Sequence, residues 1–226
     1  MALGFRVKVA SAERRRRAFL SRGEIVAAAA DILERDGYDA LSMRAIAAEL
    51  GVQAAALYRH IAGRDELDDL LFDHLMAGCA PTIASHDWRE DVRTLAAAWR
   101  ARLIAKRDAT RIALSLVSVG PNVAPLMEAM LDALRRSGLR DDDVVMAYDA
   151  CLLFVHSFAS SEAIDRGLAA RPEGPPRHTP MSAEWASAYP TIMALADRLF
   201  ASPDFDAQFA FGLDALIAAI ERRAGR

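Results

Sequence analysis

Residues 41–61 read LSMRAIAAELGVQAAALYRHI. Ile46, Ala47 and Leu50 recur at helical spacing behind Ser42, a hydroxyl residue of the kind that caps helix starts. Gly51 breaks the pattern, and a second short helix is expected over about 53–60. The spacing predicts two short helices clasped across a glycine turn by Ile46, Ala47, Leu50, Val52 and Leu57. That is a helix-turn-helix, whose second helix fits a major groove about 12 Å wide. Any tight helical hairpin with a glycine turn shares the pattern, so on these residues alone DNA binding and a purely structural hairpin stand level.

Working outward, Ser21 and Glu24 have the spacing of a capping box, and Ile25, Ala28, Ala29, Ile32 and Leu33 repeat on one face behind them. Gly37 is expected to stop that helix in the left-handed conformation. A fourth helix starts near Arg64, with Leu67, Leu70, Leu71 and Leu75 inward. Further helices are expected over 88–106 (Val92, Leu95, Trp99 and Leu103 in one stripe), 110–119, 121–136 and 141–165. The middle of the last, VVMAYDACLLFVHSFA, is apolar nearly all round, which predicts burial on more than one side. Residues 166–180 are Pro-rich and read as a loop. A helix follows over 190–200. Ser202-Pro203 reads as the cap and first residue of a final helix carrying Phe205, Phe209, Leu213, Leu216, Ile217 and Ile220. The expected fold is all-α: a basic flexible arm (1–20), a three-helix helix-turn-helix domain (21–68) and a helical ligand-binding and dimerisation domain (69–226).

Composition agrees. Alanine, the best helix former, supplies 47 of the 226 residues. Cys79 and Cys151 stand too far apart for a CxxC pattern, which fits a reducing cytoplasm better than a disulfide scaffold. No apolar run approaches the roughly 20 residues of a membrane span. The first residues, MALGFRVKVASAERRRRAFLSRGE, lack an apolar core before a cleavage site, so no secretory signal is expected. The net charge of −3 hides an asymmetry: residues 1–64 carry 11 Arg/Lys against 7 Asp/Glu, and the remainder 17 against 24. A basic front on an acidic body suits a polyanionic partner. The arginines at 14–17 can enter a narrow minor groove or remain a solvated arm.

The stretch AAAADILERDGYDALSMRAIAAELGVQAAALYRHIAGRDEL, with its Gly37-Tyr38 and Gly51-Val52 turns and its Leu57-Tyr58-x-His60 run, resembles the DNA-binding domain of the tetracycline-repressor (TetR) family. Trp88, Arg107-Asp108 and FAFGLDALIAAIERR at 209–223 extend the resemblance to the tetracycline-repressor branch. The resemblance implies a homodimeric regulator of double-stranded operator DNA that responds to a small-molecule inducer. It implies that Ser42, Tyr58 and His60 contact phosphates, that Arg44 reaches a base edge, and that Arg64 clamps the backbone. Arg59 is placed on the outward face, within reach of the DNA backbone, and Gln53, Ala54, Ala55 and Ala56 occupy the tip of the recognition helix. The three alanines offer only methyl contacts, suited to thymine methyl groups, so Gln53 is the sole polar reader there.

The resemblance also implies a pocket of Cys79, Leu95, Trp99, Ala113, Met127, Met130 and His156. Where the tetracycline repressor has two metal-binding histidines and an asparagine, this chain has Cys79, Ala113 and Leu95, while Trp99 keeps an aromatic position. The expected inducer is therefore apolar or aromatic, with no metal and no cofactor. Ordinary core packing is the competing reading for Trp99, Met127, Met130 and His156. No HExxH, GxSxG, GxGxxG or P-loop pattern supports an enzyme. The remaining alternative is a non-catalytic helical dimer that binds a small molecule without recognising an operator.

Overall fold

A computed structural model describes residues 20–83, 85, 87–113, 119–169 and 187–225, with backbone only at 168 and 169. The arm at 1–19, including the arginines at 14–17, lies outside the described residues, as does most of the Pro-rich segment. Among the described residues all regular structure is helical.

Helix α1 (Arg22–Asp36) opens on the expected capping box: Glu24 N donates to Ser21 Oγ at 3.2 Å, and Ser21 N donates to the Glu24 carboxylate at 2.8 Å. Its stripe of Ile25, Ala28, Ala29, Ile32 and Leu33 is buried. Gly37 ends the helix with φ 87° and ψ 174°, which corrects the expected left-handed helical geometry. The reason is a distant partner. Tyr38 N donates to the Asp108 carboxylate at 2.8 Å, so the chain swings outward into a 3₁₀ turn (Tyr38–Ala40). Helix α2 (Met43–Leu50) is capped by Ser42, whose Oγ accepts from Ala45 N at 3.1 Å. It closes on Gly51 in the left-handed region, φ 66° and ψ 34°. Helix α3 (Ala54–Leu57) is shorter than expected; residues 58–60 complete a turn in which His60 N donates to Leu57 O. Helix α4 (Arg64–Leu75) runs unbroken across the expected 68/69 domain boundary.

The body begins with α5 (Trp88–Ala105), capped by Asp87. Next come α6 (Ala109–Ala113), beyond which 114–118 is not described, and α7 (Ala124–Arg136). Helix α7 starts three residues later than the expected 121 because the chain before it is bound elsewhere. The Asp73 carboxylate on α4 accepts from Asn122 N at 2.9 Å, Asn122 Nδ2 at 2.8 Å and Val123 N at 3.0 Å. Gly120 makes room for this, since a Cβ there would sit 2.2 Å from Asp73 Cγ. Helix α8 (Asp141–Ala169) outruns the expected end at 165, and α9 (Pro190–Leu199) follows. Helix α10 (Phe205–Ala224) is capped by Asp204, whose carboxylate accepts from Ala207 N at 3.0 Å. That corrects the expected Ser202-Pro203 start: the carboxylate three residues ahead of Ala207 takes the cap.

In the head, α1 packs on α2 and α4, and α2 on α3; in the body, α5 lies against α7 and α8, and α10 against α8. Helix α6 touches α4, α5 and α8, and so sits between the two parts. By length and a mean hydropathy of 1.4 over 18 residues, α8 is a candidate membrane span, contrary to the expectation that no such run exists. Its packing against α5, α6, α7 and α10 gives that apolar surface another use. A buried ion pair fixes one end of this bundle. Arg100 Nε donates to the fully buried Glu162 at 2.8 Å, and Arg100 also reaches Asp206 on α10 at 2.8 Å.

Candidate nucleic-acid interface and ligand core

Most of the expected DNA residues lie exposed on α2 and α3 or directly beside them. Ser42, Arg44, Gln53, Ala55, Tyr58 and Arg59 are exposed. Tyr58 is 55% exposed, so its ring is open to solvent over about half its surface. Gln53, Ala55 and Arg59 rim one shallow depression. Ala54 is half-buried against the core, Ala56 is buried at the floor of that depression, and of the three alanines only Ala55 is exposed. His60 is half-buried, and its carbonyl accepts from Arg22 Nε at 2.6 Å.

Arg64 is half-buried and bonded within the head. Its Nε donates to the Asp68 carboxylate at 2.8 Å, its Nη1 donates to Leu41 O, and its guanidinium lies 4.3 Å from the centre of the Tyr38 ring. Asp68 in turn accepts from Tyr38 Oη at 2.7 Å. Burial and the neighbouring Asp68 carboxylate both hold the Tyr38 hydroxyl above its ordinary pKa, which keeps it a donor. Arg64 therefore braces the start of α2 against α4. It is brought near the interface by α4 but spends at least two donor groups inside the head.

Tyr38 also joins head to body, a connection that sequence reasoning missed. Arg111 on α6 stacks 4.9 Å from the Tyr38 ring centre and pairs with Asp39 at 2.8 Å. That pairing lowers the Asp39 pKa. Arg107 donates to the last carbonyls of α1, Glu34 O at 3.1 Å and Arg35 O at 2.7 Å. A cation at a helix C-terminus satisfies orphan carbonyls and the helix dipole together. Asp108, at φ 53°, bonds Tyr38 N as described above. The only signal in the sequence was Arg107-Asp108 itself, read as a family marker and not as a cap for a helix about 70 residues earlier.

In the body, the expected pocket residues lie in or against the apolar core. Cys79, Leu95, Trp99, Ala113, Met130 and His156 are buried, and Met127 packs at the margin. Trp99 on α5 and His156 on α8 meet edge to face, with ring centroids 5.1 Å apart. Burial pushes the His156 pKa down to about 4 and raises that of the Cys79 thiol, so both are neutral near pH 7. Among the described residues no cluster of three or more His, Cys, Asp or Glu could hold a metal ion.

Among the described residues, α8 and α10 also carry a largely apolar surface, with the Asp143–Arg223 ion pair at its edge. Leu139, Met146, Ala147, Ala150, Leu216 and Ile220 line a groove between α8 and α10. Leu153 is 60% exposed and Phe211 80% exposed on the same two helices.

Comparison with known proteins places these features. The profile of the C-terminal domain described as tetracyclin repressor-like matches residues 80–224. The profile of bacterial regulatory proteins of the tetR family matches residues 25–67. A curated HTH-type transcriptional regulator of Saccharopolyspora erythraea is 31% identical over 153 residues; the match covers 67% of this chain and 65% of that regulator, just under two thirds of its length. The apo structure of ActR from Streptomyces coelicolor superposes with a TM-score of 0.75 at 33% identity, covering 91% of this chain and 97% of that one. ActR has also been solved in complex with actinorhodin. BioQ, known from Mycobacterium smegmatis, is solved with its double-stranded DNA operator; it superposes with a TM-score of 0.66 at 25% identity, over 89% of this chain and 98% of that one. The two profiles together span most of the described chain, and the chain belongs to the tetracycline-repressor family of bacterial regulatory proteins.

Proposed function

We propose that this chain is a homodimeric repressor, working in the cytoplasm, that binds a palindromic operator and is released from it by a small apolar or aromatic ligand. Residues 21–68 form the DNA-reading head and 69–226 the ligand-binding and dimerising body, with the arm at 1–20 in front. The observation that carries the reading is that Ser42, Arg44, Gln53, Ala55, Tyr58 and Arg59 of the helix-turn-helix are all exposed, with Gln53, Ala55 and Arg59 around one depression. ActR bound to actinorhodin and BioQ bound to its operator support the ligand and DNA halves. Cys79, Leu95 and Ala113 offer no oxygen ligands to magnesium, which prefers an octahedral oxygen shell, so a metal-chelated drug is the wrong ligand class.

Gel shifts with DNA fragments flanking the coding sequence test the reading. The expected result is a shift competed by the same fragment and not by unrelated duplex. The shift should be reversed by flat aromatic compounds and left unchanged by tetracycline with magnesium. Release at low micromolar tetracycline, dependent on magnesium, would overturn the ligand class. Lack of any sequence-selective shift would favour the small-molecule-binding dimer that recognises no operator.

A further inference from the structure

Two polar atoms in the ligand core are left without partners. Trp99 Nε1 and His156 Nε2 are both buried, and neither makes a hydrogen bond among the described residues. Their side chains belong to residues only 2% and 6% exposed. They lie on different helices, α5 and α8, and their rings meet edge to face at 5.1 Å, with the Phe72 ring of α4 6.2 Å from His156. Burying a polar group without a partner forfeits its hydrogen bonds to water, so native cores rarely carry one and seldom two side by side. Neither nitrogen ties the helices together, because neither makes a hydrogen bond to another described residue. Two buried, unpartnered polar atoms on rings in contact therefore point to a ligand that supplies both missing partners.

Their chemistry limits what that is. An indole N–H only donates. The His156 imidazole is neutral, because burial holds its pKa near 4, and one nitrogen of a neutral imidazole accepts. A single hydroxyl oxygen can accept from the indole and donate to the imidazole, whereas an ether oxygen serves only the indole and a hydrocarbon serves neither. The aromatic walls Trp99 and Phe72 favour a flat ring carrying that hydroxyl.

We propose that Trp99 and His156 form a two-point recognition site for a phenolic hydroxyl, so that the ligand class is a neutral, flat aromatic phenol. This rests on the reading of the core as the ligand pocket. The test is isothermal titration of the full-length protein with naphthalene, 2-methoxynaphthalene and 2-naphthol. 2-Naphthol is expected to bind roughly tenfold or more tightly than either analogue, the gain of one well-made buried hydrogen-bond pair. Trp99→Phe and His156→Leu should each abolish that preference while still binding all three, and each should still shift operator DNA, which checks that the variants fold. Equal binding of the three compounds to the unaltered protein would overturn the inference and leave the apolar pocket standing. A preference shared by 2-methoxynaphthalene would overturn the hydroxyl in favour of a simple acceptor. No binding by any compound up to its solubility limit would overturn the pocket assignment as well. The series on the unaltered protein decides by itself, even where a variant fails to fold.

Discussion

Two arginines near the DNA face illustrate how position decides role. Arg44 is exposed on α2. Arg64 is engaged with Asp68, Leu41 O and the Tyr38 ring. Arg44→Ala should leave thermal stability unchanged and cost about 1–3 kcal/mol of operator affinity at one base pair per half-site, read in a base-substitution scan. An unaltered scan would remove Arg44 from the base-reading set. Arg64→Ala should lower stability by about 1–2 kcal/mol, a figure discounted because the guanidinium is a third exposed, and should weaken all DNA sequences alike. A stability curve identical to wild type would return Arg64 to a purely phosphate-binding role. His156 makes a third residue-scale prediction. Its folded pKa is about 4 against 6.5 in the unfolded chain, so between those values the unfolded state binds more protons. Its contribution is present above pH 6.5 and falls away as pH drops toward 4, by up to about 3 kcal/mol. Urea unfolding of wild type against His156→Leu should diverge across that window and run parallel above it. Parallel curves throughout would mean that His156 stays solvated.

At the scale of elements, the informative contacts are those between helices far apart in sequence. Asp73 on α4 holds three donors from the turn before α7. Asp73→Ala should destabilise the fold by about 2–3 kcal/mol, since buried donors lose a charged acceptor, and should free the turn without touching the DNA face. Denaturant midpoints and operator affinity measured together check this, and loss of operator affinity at unchanged stability would contradict it. The same distance explains what the sequence could tell. The capping box of Ser21 and Glu24, the Ser42 cap and the stripe from Ile25 to Leu33 were legible because each is settled within one or two helical turns. The late start of α7 and the extended exit at Gly37 were not, because each depends on one carboxylate from elsewhere in the chain, Asp73 or Asp108. Ser202-Pro203 failed for a local reason: Asp204 offers a competing cap two residues on. At the site, outward and inward positions of the recognition hairpin could be read from periodicity. The internal bonding of Arg64 and the Tyr38 junction could not, since a family pattern gives a position and leaves its partners unnamed.

At the scale of the whole molecule, stability and function meet on the face shared by α8 and α10. Each helix turns one side to the body core, through Val144, Tyr148, Cys151 and Val155 on α8 and through Phe209, Leu213 and Ile217 on α10. The other side carries Met146 and Leu153 on α8 and Phe211 on α10, all exposed in the single chain. Contiguous apolar surface of this kind marks an interface. A two-fold contact would set the same face of each copy against the other. The two heads must then be held one helical turn of DNA apart, about 34–36 Å, for both halves of a palindrome to be read together. Leu153→Glu separates the two functions of α8. Leu153 is 60% exposed, so a carboxylate there remains solvated in the monomer and should leave its unfolding curve nearly unchanged. In the dimer the two introduced charges would be desolvated against apolar neighbours, each costing several kcal/mol. Sedimentation should show wild type as a dimer at micromolar concentration and Leu153→Glu as a folded monomer. The monomer should lose operator binding while retaining aromatic ligands in its own core. A dimeric Leu153→Glu protein would place the interface elsewhere, and a monomeric wild type would remove the geometric basis for reading a palindrome at all.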